Sequence, residues 1–144
     1  MRKLILSLTA AAIALAPAAA AASPAGEVTL VNGKQGYCLT AEPKQNTVGA
    51  YTCDGSGPQK WVAGSSADGG RTYLNPQTGR YFCGATQAGK TVQLCDQAAG
   101  WTVTPARNGD QLHYPANSKC LMALGNHVHL ADCREDPTRS WHTT

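Results

Sequence analysis

The sequence predicts an all-β domain made of three copies of one unit, and three observations carry that prediction. Tryptophan stands at 61, 101 and 141, a period of 40 residues. Two cysteines fall in each period: Cys38 and Cys53, Cys83 and Cys95, Cys120 and Cys133. Gly, Pro, Asn and Asp interrupt the chain every few residues, with no helical apolar stripe between them. A fixed period of this size marks a unit that cannot bury its own apolar face and packs against copies of itself.

The elements of each copy follow in one order. A β-type run comes first: Val28–Val31, Arg71–Leu74 and Gln111–Tyr114, each ended by turn residues such as Asn32-Gly33, Asn75-Pro76 or Pro115-Ala116-Asn117. The first cysteine follows, in Gly36-Tyr37-Cys38-Leu39, Phe82-Cys83-Gly84 and Lys119-Cys120-Leu121. After a polar loop, an apolar strand runs to the second cysteine. A Gly/Pro-rich turn and the tryptophan strand close the unit. That gives about four strands per copy and about twelve in all. Four-stranded units also build propellers, but those need more blades than the three copies here. Three such units closing around a pseudo-threefold axis make a β-trefoil. The tryptophans, with Leu30, Leu74 and Leu112, are expected to fill the shared core. The copies span roughly 27–65, 66–105 and 106–144 of a single domain over 23–144.

The first residues stand apart. Met1-Arg2-Lys3 is basic, Leu4–Pro17 is apolar, and Ala18–Ala22 offers small residues for cleavage. This reads as a secretory signal peptide over 1–22, cleaved near Ala22, and it is too short for a comfortable membrane anchor. The mature protein is expected to be secreted. Without Arg2 and Lys3, ten basic residues face nine acidic ones, so the net charge is 10 − 9 = +1. No basic cluster remains to hold phosphates or anionic lipid, which argues against nucleic acid or membrane insertion. Secretion also favours disulfides, and the repeat predicts Cys38–Cys53, Cys83–Cys95 and Cys120–Cys133. Each closes a short loop, worth roughly 3 kcal/mol in the chain-entropy model. The short cysteine spacing of a zinc site is absent, and no metal or other cofactor is expected.

The order Gly-x-Cys-Leu, Val-x-x-x-x-Cys, Gln-x-Trp resembles the ricin B-type lectin domain, a sugar-binding β-trefoil, over roughly 27–141. The full Gln-x-Trp signature stands once, at Gln59-Lys60-Trp61; Ala99 and Arg139 replace the Gln elsewhere. The resemblance implies an acid two residues after the first cysteine, accepting hydrogen bonds from sugar hydroxyls. It implies an aromatic ring two before the second cysteine, stacking on the sugar, and a polar residue three before the Trp. Here the acid position holds Thr40, Ala85 and Met122. The aromatic position holds Tyr51 in the first copy and Ala131 in the third. In the second, Val92 lies three residues before Cys95 where the others have five, so the register is read as slipped and no aromatic is assigned. The position three before Trp holds Pro58, Ala98 and Thr138.

Two functions follow from this pattern. In the first, the protein binds a glycan weakly or non-classically through the first copy. Tyr51 stacks, Thr40 and Asn46 offer neutral hydrogen bonds, Asp54 supplies a displaced acid, and Gln59 orients them. Each has a plainer reading: Tyr51 covers the core edge, Gln59 satisfies backbone groups, and Asp54 starts a turn as Asp96 and Asp132 do. In the second, the trefoil has lost sugar binding and serves as a protein-interaction or toxin-accessory module, through loops such as 63–71. Catalysis has little support: there is no Gly-x-Ser-x-Gly elbow and no carboxylate pair placed by spacing. His127 and His129 share one strand face and, with His113 or His142, offer a weak metal site, but a solvated surface strand accounts for them as well.

Overall fold

The computed structural model describes residues 26–84 and 91–144. The segment 1–22, expected to be a signal peptide, lies outside these residues, as does Ala85. Among the described residues there are thirteen strands and no α-helix. They are β1 (Glu27–Val28), β2 (Leu30–Asn32), β3 (Tyr37–Glu42), β4 (Thr47–Thr52), β5 (Trp61–Ser65), β6 (Arg71–Asn75), β7 (Arg80–Cys83), β8 (Gln93–Cys95), β9 (Thr102–Ala106), β10 (Gly109–His113), β11 (Cys120–Leu124), β12 (His127–Ala131) and β13 (Trp141–Thr143). Single 3₁₀ turns, Gly57–Gln59 and Pro137–Arg139, precede β5 and β13. There are thirteen strands rather than twelve because the first run changes partner at Thr29. Before it Val28 pairs with Trp61; after it Val31 pairs with His142.

Three kinds of pairing build the barrel. Each copy folds its middle strands into a hairpin: β3–β4, β7–β8 and β11–β12. Each tryptophan strand then pairs with the first strand of the next copy, through Val62↔Leu74 and Thr102↔His113. The last closes on the first through His142↔Val31. Finally the hairpins touch one another in a ring, at Thr47↔Gln93, Thr91↔His129 and His127↔Gly49. No copy completes its own ladder, which is the physical meaning of the repeat.

All three tryptophans are fully buried. Each indole Nε1 donates to an equivalent carbonyl: Leu39 at 3.0 Å, Phe82 at 3.3 Å and Leu121 at 3.0 Å. The one polar atom of each large side chain is thereby satisfied inside the core. Leu30 and Leu112 join this core, but Leu74 does not. Its neighbour Tyr73 takes the inward place and stacks on Phe82. The phase of β6 is fixed by buried Asn75, whose amide donates to the carbonyls of Gly57 and Lys60. Because strand faces alternate, fixing Asn75 turns Leu74 outward.

The three predicted disulfides form, with Cα separations of 5.1, 6.1 and 5.1 Å. Their placement corrects the repeat alignment. Matching the carbonyls that receive the indoles makes Leu39, Phe82 and Leu121 equivalent. Tyr81, not Cys83, then stands where Cys38 and Cys120 stand. The same frame is marked by left-handed backbone two residues earlier, at Gly36 (φ 68°), Gly79 (φ 69°) and Ser118 (φ 56°). There the amides bond Asn32, Asn75 and Tyr114 carbonyls. The register agrees, with Cys38↔Tyr51, Tyr81↔Cys95 and Cys120↔Ala131. The strand in repeat two has not slipped. Its cysteine pair has moved two residues along the hairpin.

Candidate functional site: the outward face of the first hairpin

Strand alternation decides which side chains of β3 and β4 face out. Leu39, Ala41, Val48 and Ala50 point into the core, so Thr40, Glu42, Gly49 and Tyr51 lie on the opposite face. Thr40 pairs with Gly49, and Gly49 is the floor of this face. A Cβ there would lie 2.6 Å from both Glu42 Oε1 and Tyr51 Cε2. The bare glycine is what lets the Tyr51 ring and the Glu42 carboxylate close over the same spot. The Tyr51 hydroxyl donates to Glu42 Oε2 at 2.8 Å. That hydrogen bond, with burial and the nearby negative charge, raises the phenol pKa above its ordinary value. Tyr51 keeps 38% of its surface exposed, one of two large hydrophobic side chains so exposed among the described residues. Glu42 forms no ion pair among the described residues. The turn before β12 flanks the floor from repeat three, where the Asn126 amide donates to the Ala50 carbonyl at 2.8 Å.

Gln59 lies beneath this face, 2% exposed. Its Nε2 donates to the Thr52 carbonyl at 2.9 Å and to Thr40 Oγ1 at 3.3 Å, while Oε1 accepts from the Asp54 amide at 2.9 Å. One amide thus ties β3, β4 and the turn after Cys53 together. Thr40 also donates to the Cys38 carbonyl. Asp54 accepts from the Ser56 amide at 2.9 Å, and its bonds to Ser56 hold the carboxyl below the usual range. It is a turn residue in this arrangement. Asn46, in left-handed backbone at the hairpin tip, accepts from the Arg80 guanidinium of repeat two. The structure therefore brings Thr40, Tyr51 and Gln59 together, and commits Asn46 and Asp54 to other partners. The acid nearest Tyr51 is Glu42, one pleat beyond Thr40. Sequence reading missed it by looking only at the family position, although Glu42 follows Thr40 at the two-residue spacing that shares a strand face.

The same face differs in the other repeats. In repeat two, Cys83 occupies the place of Thr40 and Cys95 that of Tyr51, so the disulfide crosses the outward face. The loop from there to the tryptophan is shorter, six residues from Cys95 to Trp101 against ten from Tyr51 to Trp61. It has no 3₁₀ turn, so Ala98 and Ala99 are not the counterparts of Pro58 and Gln59. A cleft of about 970 Å³ opens there, bordered by Arg80, Asp96, Ala99 and Tyr114. In repeat three the places of Thr40, Glu42 and Tyr51 fall to Met122, Leu124 and Ala131. Arg139 stands in for Gln59, and its Nε donates to the Asp132 carbonyl at 2.7 Å.

The acids beside the second cysteines also separate. Asp96 pairs with Arg80 and Asp132 with Lys119, across the equivalent rung of hairpins two and three. Asp54 holds its turn through Ser56, and Asp96 stands in a bend as well as pairing with Arg80, so the turn reading fails for Asp132 alone. His127 and His129 share the outer face of β12 and join no cluster of three ligand atoms among the described residues. Burial, Arg139 and His127 hold the His129 imidazole below its ordinary pKa.

The family model for the ricin-type β-trefoil lectin domain matches residues 26–141, and this chain belongs to that family. No curated protein matches its sequence. Among solved structures it is similar to the designed threefold-symmetric protein ThreeFoil, with TM-score 0.72 and 19% identity over 82% of this chain and 97% of that one. It is also similar to the Rhizoctonia solani agglutinin, with TM-score 0.72 and 20% identity over 87% and 98%. The ricin B-like lectin of Macrolepiota procera, solved in complex with lactose, gives 0.74 and 16% over 85% and 96%. At these identities the likeness shows the β-trefoil fold. What each site does must come from its own residues.

Proposed function

We propose that this protein is a secreted lectin that binds a glycan at one site, on the outward face of repeat one. The observation that carries the reading is the Tyr51–Glu42 pair: an exposed ring beside a carboxylate with no cation partner among the described residues. A sugar presents one apolar face and a rim of hydroxyls. Tyr51 supplies the stacking surface. The carboxylate of Glu42 accepts from hydroxyls, replacing the acid missing at Thr40, with charge-assisted bonds worth about 1.5–3 kcal/mol each. Gln59 and Thr40 keep the two strands in register beneath. Repeat two has a disulfide where the ring and the polar group would stand, and repeat three has Met122 and Ala131 there. Neither offers the same pair.

The family supports a carbohydrate ligand, and a relative in it was solved with lactose bound. A broad glycan array tests the reading. At least one glycan is expected to bind, and Tyr51→Ala is expected to weaken it by about 1 kcal/mol or more. An array empty down to millimolar affinities would overturn it. Export rests on the leader over 1–22, and sequencing the N-terminus of the mature protein checks cleavage near Ala22.

A protein-interaction role finds its best support in repeat three. Leu124 is 51% exposed beside Met122 and Lys34 in a shallow groove. A protein partner whose binding Leu124→Asp abolishes and Tyr51→Ala spares would favour that role.

A further inference from the structure

We infer that His113, Cys120 and Cys133 form a soft-metal site that opens when the disulfide of repeat three is reduced. His113 sits on β10 and pairs in register with Cys120 on β11. Its Nδ1 lies 3.3 Å from Cys133 Sγ and 3.7 Å from Cys120 Sγ. All three ligand atoms lie within 4.8 Å of one another. Metal–sulfur bonds of about 2.3 Å and metal–nitrogen bonds of about 2.0 Å set tetrahedral edges of roughly 3.5–3.8 Å between such ligands. The imidazole nitrogen is already at that spacing from Cys120 Sγ and slightly inside it from Cys133 Sγ. Only the sulfurs must part, which is what breaking their bond does. The other ring nitrogen, Nε2, is buried with no partner among the described residues, so the contacts of the ring with ligand atoms are those of Nδ1, and Nε2 would carry the proton when Nδ1 binds metal.

The internal repeat supplies a control. The places equivalent to His113 hold Val31 in repeat one and Leu74 in repeat two, where each strand pairs with the hairpin in the same register. Repeat one has its disulfide at the same rung, with Val31 rather than an imidazole paired to Cys38. The histidine is therefore an addition to this repeat, not a requirement of the fold.

The chemistry balances with an external dithiol as reductant. It gives two electrons to the sulfur–sulfur bond and itself becomes a disulfide, and Cys120 and Cys133 become thiols. Binding a soft d¹⁰ cation such as Zn²⁺ or Cu⁺ then displaces both thiol protons and leaves two thiolates and one imidazole as ligands. Cys133 is half-buried and gives the reductant its approach, whereas Cys120 is fully buried. In the oxidised protein the sulfurs carry no thiolate charge, and the site does not exist.

The test uses the full mature chain, a phosphine reductant that does not compete as a thiol, and cobalt(II) as the probe. The reduced protein is expected to take up one tightly held ion with a thiolate-to-cobalt absorption band, absent before reduction. His113→Val is expected to weaken that uptake at least tenfold. Val31→His, which gives repeat one the same triad, is expected to raise the count of tight ions from one to two. Equal uptake by the reduced wild type and H113V overturns the assignment. That holds whether or not the reduced chains keep their fold, because an unfolded chain offers the same six thiols in both. A count that stays at one in V31H overturns the geometric argument.

Discussion

Repeats one and two use the same hairpin for different ends. In repeat one the outward face presents Tyr51 and Glu42 over a bare glycine. In repeat two the cysteine pair has moved two residues and crosses that face, and the following loop has lost its 3₁₀ turn. Toward the core the hairpins remain alike: Leu39 and Phe82 face inward and receive the indole bonds of Trp61 and Trp101. The difference teaches that the barrel constrains one side of each strand and leaves the other free. Packing fixes the inward residues, and a disulfide staples a hairpin at either of two rungs.

If the shared inward layer holds the fold, breaking it should have the largest effect. Trp101→Ala removes a fully buried indole and leaves the Phe82 carbonyl without its donor. It is expected to cost about 3–5 kcal/mol, measured by urea unfolding. An equal loss for Trp61→Ala would show that the repeats share the load.

Gln59 sharpens the comparison next, because repeat two manages without it. Gln59→Ala strands the Thr52 carbonyl and the Asp54 amide. A loss of about 1–3 kcal/mol is expected in urea unfolding. Glu42→Gln separates fold from function. Stability should hold, because the amide oxygen still accepts from Tyr51, and glycan affinity should fall by roughly tenfold, about 1.4 kcal/mol.

The smallest effect is in titration. Tyr51 has a folded pKa above its unfolded value, through its hydrogen bond to Glu42 first, then burial and charge. The stabilisation from this bond is therefore complete below about pH 10 and disappears as pH rises through the folded value. An ultraviolet titration of the wild type against E42Q should find the Tyr51 transition lower in the variant.

Much of this was legible in the sequence. The period of the tryptophans gave the trefoil, and two cysteines per period gave the pairing. What misled was treating cysteine as the marker of register. Cysteines can staple a hairpin at more than one rung, whereas the turn before the hairpin cannot move. Gly36, Gly79 and Ser118 adopt the same left-handed backbone at that turn, and counting from Gly79 would have placed Tyr81 opposite Cys95. Leu74 was misassigned for a similar reason, since the buried amide of Asn75 sets the strand phase. Glu42 was visible two residues from Thr40. Its partnership with Tyr51 was not, because it depends on the bare floor at Gly49 and the twist of two paired strands.

The central claim is that sugar recognition is confined to the first repeat. Calorimetric titration of the tightest glycan from the array tests it directly, using wild type, Tyr51→Ala and Met122→Ala. One site per chain is expected, weakened about fivefold or more by Y51A and unchanged by M122A. Binding that survives Y51A and falls with M122A would contradict it.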